Sequence, residues 1–293
     1  MSESLSKEQA KKLVDKYAED AIRPMKNHKG FIPWMGFLGV IMLVFGYAYY
    51  IQLTEGLNVT AMRDYVSWGL YISNFVFFVA VSLVGMLVSA VLGLLGQTWV
   101  KPITRVSEII ALGFVMVAGL VIITDMGRPD RFLNLFLHGR LQSPIVWDVT
   151  VITTYVAIST LLFILPLIPD LAFIKKKMKD MPVWQYQLYN ILSLGWIGTP
   201  EQYKILHKSI RMLSIIIIPV AMAIHTVTSW LFASTLRIGW DTTVFGPYFV
   251  AGAFVAGTAA VIIVMYILRS NYKLQDYFTD HHFDMMGRLL VLV

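Results

Sequence analysis

The 293-residue sequence contains no cysteine. Disulfides, a cysteine-ligated iron–sulfur cluster and a thiol nucleophile are therefore excluded within it, and its redox compartment leaves no trace in composition. Charge is scarce too, at 14% of residues against 57% hydrophobic. A soluble domain carries about 25% charged residues and lacks repeated apolar runs of about 20 residues, so a soluble fold is excluded. The first thirty residues, MSESLSKEQAKKLVDKYAEDAIRPMKNHKG, lack the apolar core of a cleavable secretory signal. They read as a cytoplasmic amphipathic segment, residues 1–30, lying on the membrane surface as a helix.

What the chain does have is apolar length. Six stretches reach the roughly 20 residues needed to cross a bilayer as a helix, over 31–53, 67–96, 106–124, 148–169, 211–235 and 245–268. A seventh starts near Met285, and the ending GRLLVLV is too short to cross alone, which predicts a longer parent protein. The expected fold is an all-α integral membrane protein, a multi-span helical bundle over residues 31–293. Its first four-helix bundle is complete and its second partial.

Orientation follows from the distribution of Lys and Arg. With the N-terminus in the cytoplasm, 18 of the 24 fall on inner segments. Five fall outside, at Arg63, Arg128, Arg131, Arg140 and Arg237, and Arg288 opens the seventh span. A multi-pass protein of the cytoplasmic (inner) membrane is predicted. The long inner connection from Asp170 to Lys208 begins with KKKMKD and continues with aromatic and leucine residues mixed with polar ones. That pattern predicts a helix riding the interface, with lysines that set topology and meet anionic lipid.

Charge is densest in TDMGRPDRFLNLFLHGRLQSPIVWD, Thr124–Asp148, on the outer connection between the third and fourth spans. Ionisable groups at membrane depth are costly, so each is a functional candidate. Asp125 ends the third span and Asp148 begins the fourth. His225 lies about ten residues, or roughly 15 Å, inside the fifth span and shares a helix face with Ser229 and Phe232. Asn74 is about two turns into the second span, Asp241 follows the fifth, and His138 sits in the outer loop. All six polar candidates converge on one side of the bilayer. Each has a purely structural reading: Asp125 with Arg128, or Asp130 with Arg131, as ion pairs and caps; His225 as a packing histidine; Asn74 as an interhelical hydrogen bond.

Together they suit a quinone. A carboxylate and an imidazole can hydrogen-bond the two ring oxygens and exchange the two protons, because histidine titrates near neutrality. Trp147, Trp240, Tyr155, Phe232 and Phe245 supply apolar walls. A bis-histidine haem needs two membrane-embedded histidines on facing helices, and of the six here only His225 lies well inside a span. His28, His207, His281 and His282 fall on the inner side, so no haem and no metal site is expected. Glu108, near the inner end of the third span, is either a capping carboxylate or a proton entry point with Ser82 and Ser89 as neighbours.

The blocks WGLYISNFVFFVAVSLVG, TDMGRPDRFLNLFLHGRLQSPIVWD, LSLGWIGTPEQYKILHKS, IHTVTSWLFAS and GWDTTVFGPYFVAGA resemble the membrane subunit of the NrfD/PsrC (polysulfide reductase) family. Within it they are most similar to the ActC type of alternative complex III and to DsrP/HmeB-like subunits. The resemblance covers nearly the whole chain after residue 30. It implies a respiratory oxidoreductase subunit that exchanges electrons between the quinone pool, menaquinone or ubiquinone, and a ferredoxin-like iron–sulfur subunit on the outer face. Proton translocation is a further possibility it carries. Molybdopterin or multihaem cytochrome subunits follow onward in such complexes, and this chain holds no haem or iron–sulfur cluster. Carried onto these positions, the resemblance puts His138, Asp148, His225 and Asp241, with Asn74 nearby, against the quinone. Asp125 and Arg128 then shape the outer loop. Membrane lipid is the other expected contact, and no nucleic acid is expected. An ion or solute transporter and a passive membrane anchor stand as alternatives, the first drawing on Pro219 inside the fifth span.

Overall fold

The computed structural model describes residues 7–26, 30–62, 69–178 and 181–293, and these are helical with short connections. Lys29, Arg63 and Lys179, which enter the charge count above, and His28 lie outside the described residues. The helices in chain order are α1 (Lys7–Lys26), α2 (Phe31–Glu55), α3 (Leu70–Leu94), α4 (Lys101–Asp125) and the single turn α5 (Asn134–Leu137). Then follow α6 (Pro144–Lys177), α7 (Val183–Leu192), α8 (Pro200–Ala233), α9 (Phe245–Tyr272) and α10 (Asp280–Leu292). Six of them, α2, α3, α4, α6, α8 and α9, are long and apolar enough to cross a membrane.

The helices overrun the apolar stretches at several ends, because backbone hydrogen bonding does not stop where hydrophobicity does. Pro102 in the first turn of α4 starts that helix before the apolar run begins, since proline's missing N–H is not needed there. The α8 helix starts at Pro200, well before residue 211. The Gln202 side chain accepts from the backbone N–H of Ile197, Gly198 and Thr199, while its own backbone N–H donates to Thr199 Oγ1 at 3.2 Å. TPEQ is thus a capping box, and it sets the start of the helix inside a polar stretch. Among the described residues, the connection from Asp170 to Lys208 accordingly divides into the last turns of α6, then α7, a turn, and the first turns of α8. The seventh apolar stretch belongs to α10, which begins at Asp280 behind a capping box of Thr279 and His282.

Two compact units divide the chain: Met1–Ile51 with Pro166–Ile205, and Gln52–Leu165 with Leu206–Val293. In the first, Lys177 pairs with Asp15 of α1 at 2.6 Å, and Lys175 donates to Asn190 of α7 at 2.9 Å. The α2 stretch of this unit buries none of its side chains, the kind of apolar surface that lipid tails cover.

The second unit is built around α3, whose side chains from Val79 to Val88 are all buried. Glycine permits the close approaches. A Cβ on Gly85 would lie 2.9 Å from Ala111 Cβ of α4, and one on Gly257 of α9 would lie 2.6 Å from Val84 Cβ. Neither could be accommodated without moving a helix. Leu83, Met86, Ala111, Tyr155, Ile217, Ile224 and Ala253 form one core around this helix, contributed by α3, α4, α6, α8 and α9.

Candidate functional site

Three polar contacts join the helices around α3, and each places a polar atom against a partner inside an apolar interior. Tyr155 of α6 is fully buried, and its hydroxyl donates to the Ser82 carbonyl of α3 at 2.7 Å. His225 of α8 is fully buried as well. Its Nδ1 lies 3.1 Å from the Ala221 carbonyl and its Nε2 lies 3.1 Å from the Val79 carbonyl. A neutral imidazole has one N–H, so one of these contacts is a hydrogen bond and the other a close approach. The ring therefore ties α8 to its own preceding turn and to α3, and leaves no nitrogen open to a ligand. The third bond joins α6 to α8: Thr228 Oγ1 donates to Asp148 Oδ1 at 2.5 Å.

Asp148 is the feature of most chemical interest. It is 4% exposed, one turn into α6, and Thr228 is fully buried across from it. Burying a carboxyl is expensive unless it is hydrogen-bonded, and Thr228 supplies a bond to one of its two oxygens. One turn beyond Thr228, Phe232 begins a run of aromatic rings. Trp240 lies 5.1 Å from Phe232 and 5.2 Å from Phe245, Phe245 lies 5.8 Å from Phe249, and Phe249 lies 5.9 Å from His225. The arrangement combines a buried, singly held carboxyl with aromatic surface, which suits a planar ligand bearing oxygen.

The other sequence candidates are distributed around this core. Ser229 is buried and donates to the Thr226 carbonyl at 2.8 Å. It faces Gly246 of α9, whereas Phe232 meets Trp240 and Phe245. Asn74 is half-buried in the second turn of α3. Asp125 is half-buried at the end of α4, with Oδ1 enclosed and bonded to none of the described residues. Trp147 is largely exposed, its indole N–H donating to the Leu141 carbonyl. His138, at the end of α5, and Asp241 are exposed.

In the connecting loop, the ion pair forms between Arg128 and Asp130 rather than with Asp125 or Arg131. Nε and Nη2 of Arg128 reach the two carboxylate oxygens at 3.0 and 2.8 Å. This fork holds the Asp130 carboxyl below the usual carboxylate range, chiefly through the hydrogen bonds, and raises the Arg128 guanidinium. Both side chains are exposed, so the pair shapes the loop and stabilises the fold little.

Sequence reasoning missed two residues. Thr228 is one of several small polar residues in HTVTSW, and nothing in the chain marks it as the partner of Asp148. Gln52, the one buried side chain of α2, donates to the Thr124 carbonyl at 2.6 Å and accepts from Tyr71 Oη at 2.8 Å. A lone amide in the last turns of an apolar helix was the available signal. Glu108 is buried in α4, where it accepts from Ser89 at 2.9 Å and lies 3.6 Å from Arg105. Ser82, its other expected neighbour, donates to the Val79 carbonyl instead.

Comparison with known proteins agrees with a membrane subunit. The sequence model described as "Polysulphide reductase, NrfD" matches residues 58–293. A Halobacterium salinarum protein assigned as a membrane subunit of dimethyl sulfoxide reductase is 30% identical over 79% of this chain and 50% of its own length. A selenate reductase subunit of Mesobacillus selenatarsenatis is 25% identical over 89% of this chain and 60% of its own. The menaquinone reductase integral membrane subunit of Nitratidesulfovibrio vulgaris is 31% identical over 43% of this chain and 30% of its own. The chain spans about half the length of the curated relatives it matches. With a family match over most of its residues, the chain belongs to the NrfD polysulphide reductase family of membrane proteins.

Proposed function

We propose that this chain is the quinone-reactive membrane subunit of a respiratory oxidoreductase complex. It exchanges electrons between the quinone pool and an iron–sulfur subunit docked on the outer face. The observation that carries the reading is Asp148, a buried carboxyl held by Thr228 beside a run of aromatic rings. A carboxyl accepts a hydrogen bond when ionised and donates one when protonated, so the same group can bind a quinol hydroxyl or a quinone carbonyl. Oxidation of a quinol to the quinone releases two electrons and two protons. Asp148 accepts one proton from the ring oxygen it binds, the proton of the other ring hydroxyl leaves to water, and the two electrons pass to the cluster of the partner subunit, since this chain contains no cysteine to hold one. His225 acts as a positioning residue. By fixing α8 against α3 it sets where Thr228, one turn further on, meets Asp148.

Two kinds of support come from outside the site. The names of the menaquinone reductase and of the Hdr-like menaquinol oxidoreductase subunit of Archaeoglobus fulgidus support a quinone as substrate. The Lys and Arg bias supports a cytoplasmic N-terminus, and with it an Asp148 near the outer face of the inner membrane. The test is Asp148→Asn in the full-length complex, which keeps the volume and the Thr228 contact and removes the proton acceptor. Quinol-dependent electron transfer falls at least tenfold, the scale on which a general base contributes, while the subunits still copurify. Unchanged turnover removes Asp148 from the reaction.

A further inference from the structure

The α10 helix opens on TDHH, Thr279 to His282, and its cap departs from the usual form at one residue. In a capping box, the residue three positions after the Ser or Thr reaches back to the cap's backbone N–H, and it is ordinarily Glu or Gln. Here it is His282. Thr279 Oγ1 accepts from the backbone N–H of His282, and the Thr279 backbone N–H donates to His282 Nδ1 at 3.0 Å. A backbone N–H can only donate, so Nδ1 must carry its lone pair there. The ring is therefore neutral, with its proton on Nε2. The box is closed by the one type of side chain that ordinarily changes charge between pH 5 and 8.

We propose that His282 makes the start of α10 a pH-sensitive switch, in which protonation of the imidazole opens the capping box and loosens the first turns of the helix. An imidazolium carries an N–H where the acceptor was, so the Thr279 backbone N–H loses its partner. Thr279 Oγ1 stands 2.8 Å from Nδ1 but already accepts from the His282 backbone. A cation in the first turn also opposes the positive end of the helix dipole. His282 is half-buried and its contacts with Thr279 are exposed, so protons reach the ring from water.

This turn is one side of a seam with α9. Arg269 of α9 pairs with Asp280 at 2.7 Å and lies over the Phe283 ring at 5.4 Å. Opening the box releases the Asp280 end of the seam. Met286, one turn beyond His282, is buried in a cluster shared with α3, α4 and α9 and keeps the helix docked. The other titratable groups of α10 are Asp280, His281, Asp284 and Arg288, the last two paired at 2.9 Å. On α9 and the connection that follows they are Arg269, Tyr272, Lys273, Asp276 and Tyr277. The facing end of α4 brings Lys101, Arg105 and Glu108, and residues 84–94 of α3 bring none. The His281 ring stands 6.1 Å from that of His282, so the test separates these two imidazoles. Asp148 takes no part, and the switch stands or falls apart from the redox reading.

Hydrogen exchange read by mass spectrometry tests the proposal on the full-length complex in nanodiscs. Labelling at about pH 8 and about pH 5.5 spans the imidazole range, with times scaled for the intrinsic pH dependence of exchange. Protection of residues 279–286 is expected to fall about tenfold at the lower pH, the scale of one lost helix cap, while residues 79–88 of α3 stay unchanged. His282→Gln supplies the ordinary capping-box acceptor without a titrating ring, so it keeps the high level at both pH values. His282→Ala has no acceptor and keeps the low level at both. His281→Gln retains the parent's fall. Equal protection of the parent at both pH values overturns the proposal, whatever the variants do. A fall that persists in His282→Gln, or that vanishes in His281→Gln, puts the trigger elsewhere and overturns it as well. So does a fall shared by α3, which is general acid unfolding.

Discussion

Asp130 and Asp148 are carboxylates eighteen residues apart that meet opposite environments. Asp130 is in water and forked by Arg128, so its carboxyl is held below the usual range, first by the hydrogen bonds and then by charge. A lowered carboxyl pKa in the folded state gives a contribution that is present above the unfolded value and is lost as pH falls through the folded one. The Arg128–Asp130 fork therefore persists at neutral pH and opens only in acid, below the ordinary carboxylate midpoint of about 3.9. A ¹³C NMR titration of the Asp130 carboxyl checks this. Its midpoint returns to the ordinary range in Arg128→Gln, and an unshifted midpoint in the parent would show that the fork does not form in solution. Asp148 is enclosed by helices and held by one hydroxyl. Both carboxylates were legible as polar residues in a greasy chain, but their environments were not. Side-chain type is written in sequence, whereas the atom standing opposite it is set by which helix faces which.

At the scale of helices, α3 does more than span. It lends backbone carbonyls at Val79 and Ser82 to His225 and Tyr155, and it takes α4 and α9 in close contact through Gly85 and Gly257. The Ser82 carbonyl, already inside the helix, has a second lone pair, so the Tyr155 bond joins two helices without breaking one. The close contact makes a clear forecast. Gly257→Ala puts a methyl 2.6 Å from Val84 Cβ and forces α9 away from α3, lowering stability by about 1–3 kcal/mol. Gly252→Ala on the same helix meets open space and is expected to be neutral. Thermal unfolding of the two variants in detergent checks the pair, and equal midpoints would mean that α9 does not approach α3 this closely. Six spans were legible from apolar length alone, since a helix crossing hydrocarbon must satisfy its own backbone. Helix ends were less legible. The TPEQ cap and Pro102 decide where α8 and α4 start, and neither lies where the apolar run begins.

On the scale of the whole molecule, the absence of cysteine makes topology directly measurable. A single cysteine placed at exposed Gln142 is expected to react with a membrane-impermeant maleimide in intact cells, and one at exposed Lys101 only after permeabilisation. The reverse pattern would invert the orientation and move Asp148 to the cytoplasmic side. Such large features were available from sequence because they are sums. Apolar length, the charge bias between connections and the family blocks each pool many residues, so no one contact can spoil them. Membership of the NrfD family and the all-helical spanning architecture belong to that class. Tertiary structure decided the rest. It held both His225 nitrogens against carbonyls, gave Thr228 to Asp148, and left His138 and Asp241 in the open. These are single distances between residues far apart in the chain. No property summed along a sequence fixes which face of one helix meets which face of the next.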